Sequence, residues 1–305
     1  MISICIPVYN FDVTELVDEL LRQANHLNYP VEVLIFDDHS QQYFRQQNSL
    51  LASRSKTSYL EFDFNIGRSK IRNRLADFAH GDWLLFLDCD VMVDSPDYLK
   101  TYIDNLGRAK VLCGGREYGP KPFRPELLLR WKYGVSRECK SAFVRQTDPY
   151  GSFISGNFVI SADIFNAIRF NEALSGYGHE DTLLGIELKR HNIEILHLDN
   201  AARHLGLDPC GEFISKTEQG IVNLVRILNI SAGNRREIEK SIKLLRIFRF
   251  LRHIGMLYPL RWVFKVLTPY IRRQLCSSNP NIQLFDLYKL SLLSKIYRPH
   301  WRQVS

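Results

Sequence analysis

The stretch Trp83-Leu84-Leu85-Phe86-Leu87, followed at once by Asp88-Cys89-Asp90, constrains this chain more than any other. Five apolar residues bounded by Gly81-Asp82 and by acids suit a strand buried on both faces of a parallel sheet, although periodicity alone also admits a buried helix segment. In the extended reading alternate residues point the same way, so Asp88 and Asp90 share one target at the carboxyl end of the strand, where ligands of open α/β sheets sit. Two like charges so close call for a cation between them. Hard oxygen donors suit Mg2+ or Mn2+, which keep positions open for phosphate oxygens. The plainer alternative is that these acids only solvate a strand end.

The flanking sequence repeats the theme. Ile2 to Val8 is a β-rich run closed by Pro7 and Tyr9-Asn10, and Val13, Leu16, Val17, Leu20 and Leu21 follow at helical spacing behind Asp12, a capping residue type. Val31 to Phe36 reads as a second strand, ending in Asp37-Asp38, and Ser58 to Phe62 as a third. Gly67 then opens a helix in which Ile71, Leu75 and Phe78 recur at core spacing. Strands alternating with helices over the first hundred residues predict a Rossmann-like, mostly parallel central sheet flanked by helices.

Ser95-Pro96 starts a further helix, and Lys110 to Cys113 a short strand. From Arg116 to Tyr150 the pattern fails: Gly and Pro interrupt a mixture of basic and aromatic residues, which reads as an insertion or acceptor-facing region. Order returns with a strand over Ser155 to Ile160, a helix near Asp163 to Ile168, and the loop Gly176-Tyr-Gly-His-Glu-Asp181 leading into a helix. Ile193 to Leu198 reads as a strand running toward His204, and residues 211–230 as helical. A change of composition at Ser231-Ala-Gly233 sets the expected division: a catalytic domain over 1–232 and a basic helical C-terminal region over 233–305.

Six cysteines, at positions 5, 89, 113, 139, 210 and 276, are scattered without a Cys-x-x-Cys pair, so they read as reduced thiols of a cytoplasmic protein. The start of the chain lacks a basic region followed by a long apolar one, and no run approaches the roughly 18 apolar residues of a membrane span. Net charge is +7, yet between Arg235 and Arg273 eleven Lys/Arg face two Glu, leaving the remainder about −2.

Four polar clusters therefore close successive predicted strands: Tyr9-Asn10, Asp37-Asp38, Asn65 with Arg68, and Asp88 with Asp90. Any one reads as turn chemistry, but four converge on a single crevice in a doubly wound sheet. Pro7-Val-Tyr-Asn10, Val33-Leu-Ile-Phe-Asp-Asp38, Asn65-x-Gly67-x-x-x-x-Arg72-Asn73, Asp88-x-Asp90 and Gly178-His-Glu-Asp181, in this order, resemble a family 2 glycosyltransferase of the GT-A fold over residues 2–210. The Gly-aromatic-Gly-x-Glu-Asp loop points to one subgroup.

The resemblance implies a nucleotide-diphosphate sugar donor, usually UDP-linked, and Mn2+ or Mg2+. Carried over residue by residue, Pro7, Tyr9 and Asn10 would line the nucleoside pocket, and an acid of the Asp37-Asp38 pair would accept from uracil or ribose. Asn65 and Arg68 would lie beside base and diphosphate, with Cys89 inside the donor motif. Asp88 would face ribose and metal, Asp90 the metal, and His204 would supply a third ligand. Asp181 matches the family's general base, Glu180 with Gly178 would meet acceptor or donor sugar, and Gly156-Asn157 would line the sugar pocket. A plain helix cap is the alternative for Glu180-Asp181. Arg72 and Arg74 read as a solvated helix face.

Two departures from the family pattern matter: Ile71 stands where Ala is common, and no downstream Gln-x-x-Arg-Trp signature follows. The second argues for transfer of a single sugar or short unit to a glycan or lipid-linked acceptor, as in bacterial surface polysaccharide assembly. In the basic tail Lys240, Lys243, Arg246, Arg249 and Arg252 recur every three residues, which on a helix winds the cations around the axis. Mixed with Leu, Phe, Tyr258 and Trp262 they suit the headgroup layer of an anionic membrane, the inner face of the cell membrane in this reading. The alternative is a helical subdomain with a solvated basic face. Nucleic-acid binding lacks an accompanying fold. Rival functions are a nucleotidyltransferase, which needs a Gly-rich loop that Pro7-Val-Tyr-Asn10 does not provide, and a non-catalytic membrane-associated binding protein.

Overall fold

The computed structural model describes residues 1–174, 176–230 and 235–297. Its strands are β1 (Ile2–Val8), β2 (Val31–Asp37), β3 (Thr57–Glu61), β4 (Trp83–Leu87), β5 (Val91–Met92), β6 (Val111–Cys113), β7 (Arg116–Tyr118), β8 (Asn157–Ser161), β9 (Ile195–His197) and β10 (Ala202–His204). Seven of them form one sheet in the order β3-β2-β1-β4-β8-β6-β9. Only β8 runs against its neighbours β4 and β6; the other pairs are parallel. A second sheet orders β5-β10-β7.

The apolar run that ends in Asp88 is thus a strand, as its length and flanks predict. In β4, Leu84 to Leu87 are exposed by 2% or less, and burying each such side chain stabilises the fold by about 1.5–3 kcal/mol. Leu85 and Leu87 join the core on one face, Leu84 and Phe86 the core on the other, which is what a sheet covered on both sides requires. The chain builds outward from β1 through β2 to β3 and then returns to place β4 on the other side of β1. The carboxyl ends of β1 and β4 therefore flank the switch point where such sheets bind ligands.

Helices α1 (Thr14–Asn25), α2 (Gln42–Ser49), α3 (Arg68–Phe78), α4 (Tyr98–Asn105), α5 (Leu128–Tyr133), α6 (Ala142–Gln146), α7 (Ala162–Ala167) and α8 (Glu180–Arg190) connect or flank the strands in sequence. They are followed by α9 (Cys210–Ile230), α10 (Arg235–Ser241), α11 (Lys243–His253), α12 (Leu257–Leu275) and α13 (Ile282–Ile296). The stretch without predicted pattern, 116–150, contains β7 and the short helices α5 and α6.

The chain divides into two compact units. The first, Met1–Gly119, Arg137–Ser175 and Glu180–Gly206, carries both sheets; the second gathers Pro120–Ser136, Gly176–His179 and Leu207–Ser305. The boundary expected at Ser231-Ala-Gly233 lies outside the described residues, and α9, before it, already belongs with the helices after it. Cys210, Phe213 and Ile214 of α9 share a core with Leu129 of α5, Ile271 and Leu275 of α12, and Phe285 and Tyr288 of α13.

That core contains a correction. Cys210 and Cys276 are joined by a disulfide across a sequence separation of 66, whereas all six cysteines were expected as free thiols. Their spacing carries no hint of pairing because the packing of both α9 and α12 against α13 is what brings them together. The inference of a reducing compartment from free thiols loses its ground with them. No helix among the described residues is long and apolar enough to cross a membrane.

Candidate active site

The loops after β1 and β2 interlock. Asn10, in a left-handed conformation (φ 52°), accepts a hydrogen bond from the Gln41 amide at 2.7 Å, while its own amide donates to Ser40 Oγ at 2.8 Å. Asp37 is fully buried; its Oδ1 accepts from the Ser40 amide at 2.6 Å, and burial pushes its pKa up. Asp38 spends both carboxylate oxygens on the amides of Ile66 (2.6 Å) and Gly67 (3.0 Å), and burial raises its pKa too, against those two bonds. Asn65 Nδ2 donates to the Asp38 carbonyl at 3.1 Å.

Asp38 therefore braces the rim with both oxygens, whereas Asp37 Oδ2 is buried without a hydrogen-bond partner. Gly67 takes φ 89°, a conformation that favours glycine and lets the chain turn from Asp38 straight into α3. Pro7 lies within β1, and Tyr9 stands 54% exposed just beyond it.

At the end of β4 the arrangement is tighter. Asp88 Oδ1 accepts from Arg72 Nη2 at 2.6 Å and Oδ2 from Arg116 Nη2 at 2.8 Å. Burial alone would raise the pKa of this carboxyl, but the two guanidinium charges outweigh it and hold it down at about 2. Arg72 is only 3% exposed, so the expectation of a solvated position fails: one turn of helix after Arg68 it points back under the sheet's edge to Asp88. Arg74, by contrast, is exposed, beside Asp77. A Cβ at Gly156 would stand 2.1 Å from Asp88 Oδ2 and 2.6 Å from Arg116 Nη2, which is why only glycine fits there. Arg116 escaped the sequence reading because it opens the patternless segment; its single signal was a charge adjoining a short strand.

Asp90 stands close enough for its charge to act on Arg116 together with those of Glu138 and Asp88. Asp90 Oδ2 lies 3.7 Å from His204 Nε2, too far for a hydrogen bond. The pairing of β10 with β5 sets this spacing: His204 is opposite Val91, and the Leu205 amide donates to the Asp90 carbonyl at 2.8 Å. Tyr118 stacks on the imidazole with ring centroids 5.3 Å apart and donates to Glu138. Cys89, between the acids, has its thiol pushed up to about 12 by burial and by Asp90, so it is not a thiolate.

Glu180 and Asp181 open α8. Glu180 Oε1 is 3.2 Å from Arg68 Nη1; burial would raise its pKa, but Arg68 and Arg72 lower it overall. Asp181 moves the other way, up to about 6, through burial and the neighbouring Glu180 charge. The Thr182 amide donates to its Oδ1 at 2.6 Å. Arg72 touches Asp88 and lowers Glu180, and Arg116 touches Asp88 and lowers Asp181, so the acid pair and the end of β4 lie within one electrostatic cluster.

One further expectation changes. Asn157 does not line a pocket: it is 1% exposed, accepts from Tyr98 and Tyr102 hydroxyls at 2.7 and 2.6 Å, and donates to the Gly115 and Asn200 carbonyls, both at 2.9 Å. It is a core staple joining four segments. Gly178, with φ 95°, belongs to the second unit, where Asn223 Nδ2 donates to its carbonyl at 3.2 Å.

A mostly parallel seven-stranded sheet, one reversed strand next to β4 and paired acids at the switch point define a nucleotide-sugar-type α/β transferase fold, GT-A. The family model described as Glycosyl transferase family 2 matches residues 3–169, more than half of the chain, and the protein belongs to that family; it is a glycosyltransferase.

Solved structures agree in fold. TarS 1–349 from S. aureus superposes with a TM-score of 0.52 at 17% identity, over 96% of this chain and 88% of that one. The mannosyltransferase PcManGT of Pyrobaculum calidifontis, in complex with GDP-Man and Mn2+, gives 0.59 at 11% identity over 96% and 85%. Glucosyl-3-phosphoglycerate synthase of Mycobacterium tuberculosis, with Mn2+, UDP and glucosyl-3-phosphoglycerate, gives 0.50 at 16% over 74% and 79%. No curated protein matches the sequence significantly. Family membership sets aside the nucleotidyltransferase and the non-catalytic binding protein.

Proposed function

We propose that this protein transfers a single sugar, with inversion, from a nucleotide-diphosphate donor, UDP-linked by preference, to a hydroxyl of a glycan or lipid-linked acceptor of bacterial surface polysaccharide. The observation that carries the reading is the divergence of two adjacent carboxylates: Glu180 stays ionised against Arg68, while Asp181 is held at about 6, where it can take a proton near neutral pH. Asp181 acts as general base on the acceptor hydroxyl, in one displacement that needs no second nucleophile. Exposed Tyr9, Asn65 and half-exposed Arg68 meet the nucleoside and diphosphate, and Glu180 orients a sugar hydroxyl. The Gly-aromatic-Gly-x-Glu-Asp subgroup accords with this division of labour.

A divalent metal fits part of the expected ligand set. A carboxylate and an imidazole 3.7 Å apart, not bonded to one another, are donors suited to Mn2+. Asp88 fits poorly, since both its oxygens are taken by guanidiniums. Asp90 and His204 would hold the ion, which when bound neutralises the departing diphosphate. UDP, UDP-GlcNAc and GDP-Man in the related structures support a nucleotide-sugar donor, and Mn2+ in two of them supports the metal.

The test is nucleotide release by the purified protein from UDP-, GDP- and CMP-sugars, with Mn2+ or with chelator, with and without lipid-linked acceptors. Release that requires metal and fails in Asp90→Ala and His204→Ala is expected. Metal-independent release, or none from any donor with any acceptor, would sink the reading.

A further inference from the structure

From Lys243 to Leu275 the chain carries eight Lys/Arg and no Asp or Glu. The three-residue recurrence predicts cations winding around a helix, but packing sorts them. Arg252, itself exposed, donates to Tyr297 Oη at 2.7 Å, and half-buried Arg261 donates to the Tyr297 carbonyl at 3.1 Å. Lys243, Arg246, Lys265, Arg272 and Arg273 are exposed.

Helix α12 buries Leu257, Phe264 and Ile271, spaced by seven residues and therefore aligned in one stripe, with Leu275 completing it. Around the other side Tyr258, Trp262, Val266 and Tyr270 recur every four residues and are 77%, 72%, 61% and 68% exposed. Lys265 and Arg273 lie on that same outward side and are exposed. Helix α11 follows suit, burying Leu245 and Phe248 while Phe250 remains 61% exposed.

Such a face needs a partner that is apolar in depth and negative at its surface. A second copy of the face does not qualify, because a segment without acids repels itself. An anionic bilayer does. Tyr and Trp rings sit at headgroup level with one end apolar and the other wet, and long basic side chains reach back to the phosphates. We propose that the outer face of α12, together with Phe250 of α11, docks on an anionic lipid surface, lying in the headgroup layer without spanning it.

Flotation of the full chain with vesicles tests this. Binding is expected to phosphatidylcholine vesicles containing roughly a third phosphatidylglycerol, to weaken as salt rises, and to be absent with phosphatidylcholine alone. Each cation at an anionic surface is worth roughly fivefold in partition, so K265Q/R273Q lowers binding about 25-fold. The pair Y258S/W262S lowers it at every salt concentration, with melting temperature unchanged because these side chains are exposed. K140Q/K189Q, the same charge change elsewhere, leaves it unaltered. Equal binding to neutral and anionic vesicles, equal loss in the control pair, or retention in the α12 variants overturns the proposal. So does self-association in vesicle-free solution that Y258S/W262S abolishes, since the face would then be covered by a second copy.

Discussion

Replacing Asp181 by Asn removes the charge of this carboxylate while keeping its shape. Its pKa stands at about 6 against an ordinary 3.8, first because it is buried and second because Glu180 is ionised beside it. The sign follows directly. The folded protein holds this proton more tightly than the unfolded chain, so ionised Asp181 destabilises the fold, with the cost absent below about pH 4, growing through about pH 6 and complete above it. Each unit corresponds to about 1.4 kcal/mol, which bounds the cost near neutrality at about 3 kcal/mol.

The Asn carbonyl oxygen can still accept from the Thr182 amide, now 2.6 Å from Oδ1, so no hydrogen bond is lost. Asp181→Asn is therefore expected to unfold about 1–3 kcal/mol later than the parent at about pH 7, a rise of several degrees, and to lose that advantage by about pH 4. Its transfer activity should vanish, while the parent's falls about tenfold between about pH 7 and pH 5 as the base protonates. Paired melting curves and rate profiles across this range decide the matter. A variant less stable at neutrality, a stability gap independent of pH, or residual activity with the parent's acid limb would refute the reasoning.

Three further outcomes follow from the geometry. Arg72→Met leaves Asp88 with one of its two cations and should cost about 3–5 kcal/mol in urea unfolding, since a buried charge loses its partner; a cost near zero would mean that Arg72 is as solvated as the sequence suggested. Gly156→Ala forces Asp88 and Arg116 apart, because a Cβ would lie 2.1 Å from one and 2.6 Å from the other; an affinity for donor nucleotide reduced at least about tenfold is expected in calorimetric titration, and unchanged affinity counts against Asp88 as part of the site. Cys210→Ser, or reductant, should lower stability by about 4 kcal/mol, as the chain-entropy argument gives for a closed loop of 66 residues; a melting temperature indifferent to reductant would show the two thiols unpaired in solution.

Local sequence determined the elements because each signal is carried by neighbours in the chain. The apolar run from Trp83 to Leu87 had to be sheathed on both sides, the polar residues after Val8, Phe36 and Leu87 had to fall at strand ends, and Glu180-Asp181 had to open a helix. Tertiary structure decided which of those polar groups are available. Burial turned Asp38 and Asn157 into internal braces, and a return of the chain through β7 set Arg116 against Asp88. One turn of α3 sent Arg72 inward where composition suggested water, and packing of α9 and α12 on α13 joined Cys210 to Cys276. A side chain's partners across more than a hundred residues depend on the sheet order β3-β2-β1-β4-β8-β6-β9, and no spacing along the chain encodes that order.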